Sequence, residues 1–263
     1  FTMNADGSGI RQLCFDQDHN WCPTVLNNGR ILYTRWEYSD TPHYFTRILM
    51  HMNPDGTGQT EFYGSNSYWP NSLFYARPLP GSASKVVAVV SGHHGVPRMG
   101  ELVVLDSAAG RREADGVVQR IPGHNKPVPA AIIDQLVANS WPKFLHPWPL
   151  GDKYFLVSCK PTRDAPWGVH LVDAFDNRIL IAEEAGQALM EPIPMQARPL
   201  PPVIPDRIKP GMAEAMVYLT DIYAGDALAG VPRGTVKSLR VIEPHYAYPN
   251  MGGHIEIGID GLW

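Results

Sequence analysis

Apolar and polar residues alternate along this chain in short runs, each closed by a turn former. Residues 30–36, 85–91 and 153–159 are rich in β-branched and aromatic side chains, and each run follows a glycine at Gly29, Gly81 or Gly151. Period-two runs bounded by such turns predict β-strands. Each is followed by a loop, another strand-like run, a tight turn and a last strand-like run, which makes four strands per unit. Residues 215–222 and 234–242 also read as strands, 130–139 as a short helix, and 198–210 as a proline-rich connection.

The tight turns repeat. Met3-Asn4-Ala5-Asp6-Gly7-Ser8-Gly9 returns 49 residues later as Met52-Asn53-Pro54-Asp55-Gly56-Thr57-Gly58, with weaker versions at residues 105–110 and 172–177. Asp-Gly between strands is a hairpin signal, because glycine accepts the positive φ of the tight turn. A second marker is Trp21-Cys22-Pro23, Trp69-Pro70, Trp141-Pro142 and Glu191-Pro192, whose prolines stand 47, 72 and 50 residues apart. Spacings of this size match β-propeller blades. The expected fold is therefore all-β, a propeller of four-stranded blades with about four visible. Its units are 1–20 (partial), 21–68, 69–140, 141–190 and 191–263 (irregular), and the 72-residue unit carries an insertion at 122–141. The chain opens at Phe1 and ends at Trp263, and reads as an excerpt of a longer protein.

Composition narrows the function. The 25 prolines oppose long helices, and the formal net charge of −4 opposes a nucleic-acid surface. No apolar run reaches transmembrane length. Cys14, Cys22 and Cys159 are too few for a disulfide framework, although Cys14 and Cys22 can pair in an oxidising compartment. G-x-S-x-G, phosphate-binding and dinucleotide fingerprints are absent, as is C-x-x-C-H.

Candidate chemistry gathers in the loops opposite the Asp-Gly turns, where a rigid scaffold presents binding residues. Trp36, Tyr38, Asp40 and His43 line one such loop, and His93, His94 and Arg98 the next. The adjacent histidines suit a metal or haem-iron ligand, a proton carrier, or a packed pair held by Glu101 or Asp40. Cys22 with His93 and His94 is a candidate soft-metal set. The Trp-Pro markers read as core. His146, His170, His245 and His254 stand alone in sequence and read as structural.

The run MNADGSGIRQL with WCPTVLNNGRILYTRWEY resembles TolB-type propeller repeats. Together with SNSYWPNSLFYARPLPG, SGHHGVPRMGELVVLD, WPKFLHPWPL, DKYFLVSCKP and VPRGTVKSLRV, the pattern is similar to the hydrazine synthase alpha-subunit-like family. That resemblance implies a propeller middle domain in a large extracytoplasmic redox protein, packed against other domains or partner subunits. It also implies a c-type haem, attached through residues outside this chain. The alternative is a non-catalytic TolB-like propeller that binds a protein, peptide or glycan on its loop-rich face. A stand-alone hydrolase is the third reading.

Overall fold

The computed structural model describes residues 1–16, 19–36, 45, 47–94, 98–209, 211–224 and 228–241. The chain divides into two compact units, Phe1–Arg207 and Ile208–Trp263.

Among the described residues, the first unit holds twelve strands in three antiparallel meanders. The first is β1 (Asn20–Val25), β2 (Ile31–Trp36), β3 (Arg47–Met52) and β4 (Thr60–Tyr63). The second is β5 (Ser72–Pro78), β6 (Lys85–Ser91), β7 (Glu101–Asp106) and β8 (Val117–Ile121). The third is β9 (Lys143–Pro149), β10 (Tyr154–Lys160), β11 (Gly168–Asp173) and β12 (Arg178–Ala182). One parallel pair, Arg47 with Ser72, merges the first two meanders into an eight-stranded sheet. The third meander stands as a four-stranded sheet.

This corrects the expected propeller. Neither sheet closes on itself or curls into a ring of blades. The merging pair is a single parallel rung between β3 and β5, and it joins the two meanders into a continuous open sheet. Beyond β12 the chain leaves strand geometry. Residues 192–209 are rich in proline, which offers no amide donor to a ladder, and this segment has no regular secondary structure and is mostly exposed. The strands expected at 215–222 and 234–242 do not form among the described residues. In the second unit, an Asp221–Arg233 ion pair at 2.6 Å and the Tyr223 hydroxyl, which accepts the N–H of Gly234 and Val236, organise turns.

The helix expected at 130–139 is also absent; residues 134–139 form successive turns. Its carbonyls are taken by side chains and by other segments. Asn71 donates to Ile133 and Asp134, the His93 backbone N–H to Asp134, and the Lys143 ammonium to Val137. A carbonyl so engaged is drawn away from the i+4 amide that an α-helix needs.

The core sits on both faces of the second meander. Val86, Ala88 and Val90 pack with Leu32, Leu49, Trp69 and Val103 on one side. Val87 and Val89 pack with Phe144, Phe155, Val157 and Val172 on the other. Alternation along β6 sends successive side chains to opposite faces, so a strand buried on both reads as the continuous run Val86–Val90.

The tight turns keep one hydrogen-bond scheme. Asp6 accepts from the Ser8 amide and hydroxyl, and Asp55 from those of Thr57, at matching distances of 2.9 and 2.7 Å. Asp173 holds the third meander's turn through the amides of Phe175 and Asn177. Gly7 and Gly56 take φ of 84° and 89°, the left-handed geometry such turns demand.

The two sheets meet at Gly100, which exchanges backbone hydrogen bonds of 3.2 and 2.8 Å with Phe144. A β-carbon there would stand 1.9 Å from the Val90 carbonyl oxygen. Gly100→Ala is expected to cost about 3 kcal/mol by overpacking. Gly151→Ala, with open space around it and no positive φ, should leave the denaturation midpoint unchanged. Chemical denaturation of the two variants measures the difference.

Candidate functional site

Each meander opens with a strand that carries an extra residue. Between Trp21 and Thr24, β1 advances three positions while β2 advances two. The same slip lies between Phe74 and Arg77 in β5, and between Leu145 and Trp148 in β9. These are β-bulges, which bend a strand and re-aim a side chain. The bulge residues Cys22, Tyr75 and His146 take φ of 53°, 53° and 48°. Glu191, which follows the third meander, takes 52°.

The four side chains meet. Tyr75 and His146 stack edge-on with ring centroids 4.4 Å apart. The Glu191 amide donates to His146 Nδ1 at 3.4 Å, and its carboxylate lies 3.8 Å from Nε2. The Cys22 thiol lies beside the Tyr75 backbone and feels the charges of Arg98 and Glu191. Arg98, itself at φ 57°, lies beside Tyr75 and bears on its hydroxyl electrostatically. Five of the nine described non-glycine residues with positive φ therefore gather here.

Burial sets the charge state. It pushes the Cys22 thiol up, with Arg98 acting the other way. It pushes the Tyr75 phenol up as well. It holds His146 below the ordinary histidine value, opposed by the Glu191 carboxylate and reinforced by Arg77. At neutral pH the thiol, phenol and imidazole are all uncharged. Because Nδ1 accepts the Glu191 amide, the imidazole proton belongs on Nε2. The cluster thus presents an S–H, an O–H and an N–H donor beside the Arg98 guanidinium, with Glu191 as the exposed acceptor.

An aromatic wall continues from it. Trp21, Trp36 and His19 stack at centroid distances of 5.3 to 6.0 Å, and Trp21 reaches Phe74 at 5.9 Å. Arg47 lies 4.9 Å from the Trp36 ring, and Arg98 lies 5.0 Å from Trp21 and 5.5 Å from Phe74. His93 packs on Trp36 at 5.5 Å and on His94 at 4.3 Å. His94 Nδ1 pairs with Asp134 of the insertion at 2.8 Å, and the His93 backbone N–H donates to the Asp134 carbonyl; Asp40 lies outside the described residues.

The structure thus brings Cys22, Trp36, His93, His94 and Arg98 into one continuous region. Tyr38, Asp40 and His43 lie outside the described residues. The suggested metal set is not assembled: Cys22 faces Tyr75 and Arg98, while His93 and His94 face Trp36 and Asp134. Among the described residues no three His, Cys, Asp or Glu side chains stand close enough to share a metal ion. Cys14, Cys22 and Cys159 are all free thiols.

Sequence reasoning missed Tyr75, His146 and Glu191. The usable signal was the residue before proline: Cys22-Pro23, His146-Pro147 and Glu191-Pro192 occupy corresponding places, whereas Trp69-Pro70 and Trp141-Pro142 lie upstream of the bulges in their meanders.

No family model matches the chain. No curated protein matches it either. One solved structure with partial similarity is the hydrazine synthase of Kuenenia stuttgartiensis, 16% identical, with a TM-score of 0.48 over 66% of this chain and 21% of that one. Similarity at that level carries no argument about activity. The hydrazine synthase alpha-subunit-like and TolB-type assignment, and the haem-associated redox scaffold built on it, are corrected accordingly: the sheets are open and the described residues hold no metal-ligand cluster. The TolB-like binding propeller falls with the same architecture. Among the described residues no helix is long and apolar enough to cross a membrane.

His146 should titrate with a midpoint below 6.5, read by NMR from its ring protons. Glu191→Gln should lower that midpoint further, and Arg77→Gln should raise it. The folded protein then binds fewer protons at this site than the unfolded chain, so its contribution opposes folding as pH falls below about 6.5.

Proposed function

We propose that this chain binds a small, acceptor-rich molecule, one that bears a carbonyl or oxyanion oxygen, at the Cys22–Tyr75–His146–Glu191 cluster. Tyr75 and His146 donate hydrogen bonds to it. Arg98 supplies positive charge, and Trp21 and Trp36 form an apolar wall against which it packs.

The observation that carries this reading is the convergence of left-handed residues. A non-glycine residue in that conformation costs about 1 kcal/mol or more, and such strain concentrates where a side chain must be aimed. Equivalent positions of three meanders, and the segment after the third, take on that cost at one point. The side chains delivered there are cysteine, tyrosine, histidine and glutamate. A purely structural bulge has no need of four groups that all exchange protons or hydrogen bonds. Neutral donors in a half-buried setting favour an acceptor ligand, because each bond formed there replaces one to water in a lower dielectric.

Acetamide is a suitable probe, since it offers a carbonyl acceptor without a charge. Followed by NMR shift titration of the whole chain, Tyr75→Phe and His146→Ala should each weaken its binding about five- to tenfold, the loss of one hydrogen bond of about 1 kcal/mol. Cys22→Ala, which removes a weak donor, should change it about twofold or less. Binding equal to the parent in both the tyrosine and histidine variants would sink the proposal.

A further inference from the structure

We infer that Arg77 and Arg198, stacked together on Trp148, form an oxyanion subsite that holds the charged end of the molecule proposed for the neighbouring cluster. The inference rests on that reading only in assigning both groups to one ligand.

Trp148 lies in β9, two residues beyond the bulge at His146, and its indole is almost fully buried. The Arg77 guanidinium stands 4.3 Å from the ring and that of Arg198 4.7 Å. A cleft of about 310 Å³ opens beside Arg198, lined by that residue, Trp148 and residues 193–197, while Arg77 stands on the same ring outside its lining. Ile193 and Met195 give it apolar edges and are otherwise exposed.

Two like charges on one indole repel each other. Among the described residues neither guanidinium has a carboxylate within ion-pair distance or a side-chain hydrogen bond. Burial holds Arg77 below the ordinary guanidinium range, and the charge of Arg198 depresses it further, against the pull of Glu191. The aromatic face attracts both cations and orients their planar donor forks, but it does not neutralise them. An oxyanion does both, because guanidinium and carboxylate or phosphate match two hydrogen bonds at a time. Arg198 is exposed, so packing alone gives no reason for it to lie on Trp148.

The link to the donor cluster is Glu191. Its charge reaches Arg77, His146, Tyr75 and Cys22. The ligand class that fits both places is a small carboxylate or phosphate whose second acceptor oxygen lies on the Tyr75 side and whose apolar part faces Ile193 and Met195.

Calorimetric titration of the whole chain with inorganic phosphate and, separately, with acetate at low ionic strength tests this and distinguishes the two oxyanions. Arg198→Gln should weaken the preferred anion at least tenfold with an unchanged melting temperature. Arg198→Lys should keep part of the affinity, and added salt should weaken the parent. The inference is overturned if neither anion binds the parent chain, or if Arg198→Gln binds within twofold of it. Tyr75→Phe in the same assay separates the two proposals. If it retains phosphate binding and acetamide binding is also untouched, the arginine subsite stands and the donor cluster falls. If only the tyrosine and histidine variants lose their ligand, the reverse holds.

Discussion

The first strand of each meander contains one residue more than its partner can match, and the candidate site depends on that mismatch. A strand in perfect register sends alternate side chains to opposite faces, which leaves no means of gathering Cys22, Tyr75 and His146. The extra residue breaks the alternation, takes a left-handed φ and turns its side chain out of the pleat. The bulges are tolerated because the rest of each meander over-determines the backbone. β6 is buried on both faces, and its packing against β5 and β7 fixes the strands on either side of the irregularity.

The same scaffold explains why the site is electrically unusual. Its three central groups are polar but uncharged at neutral pH, while its surroundings carry guanidinium groups on aromatic rings: Arg47 and Arg98 on Trp36, Trp21 and Phe74, and Arg77 and Arg198 on Trp148. Stacking places each of these cations against an aromatic face, which attracts positive charge. The balance of charge around Cys22, Tyr75 and His146 is therefore positive, with Glu191 as the counterweight. Glu191 is well exposed, so its screening by water is strong and its hold on the arginines is weak.

Much of the strand plan was legible in the sequence. The Gly29, Gly81 and Gly151 turns do lie between the first and second strands of the meanders, and Asp55-Gly56 lies between the third and fourth. Those are local features, fixed by φ preferences and short-range hydrogen bonds. The propeller was an extrapolation from them to a global property. Turn chemistry says how a chain runs up and down, but closure depends on which strand edges meet, and a lone rung such as Arg47 with Ser72 leaves no pattern in the residues. The helix expected at 130–139 failed for a related reason, since Asn71 and Lys143, far from it or just beyond it, claim its carbonyls.

The site was legible only in part, and the physical reason lies in the bulges. Trp36, His93, His94, Arg98 and Cys22 were found because loops rich in aromatics and histidines draw attention by composition. Tyr75 and His146 sit inside strands, where period-two reasoning assigns each residue to core or solvent and has no third destination. A bulge supplies one. The proline after Cys22, His146 and Glu191 is its trace: the residue before proline is kept out of the right-handed helical region, and here it takes positive φ instead. Tyr75 is followed by Ala76 and carries no such trace, so only its place in the β5–β6 register reveals it. Recurrence of a backbone irregularity at corresponding places in three meanders is thus a better pointer to this site than any spacing of histidines, because the irregularity determines where side chains are delivered.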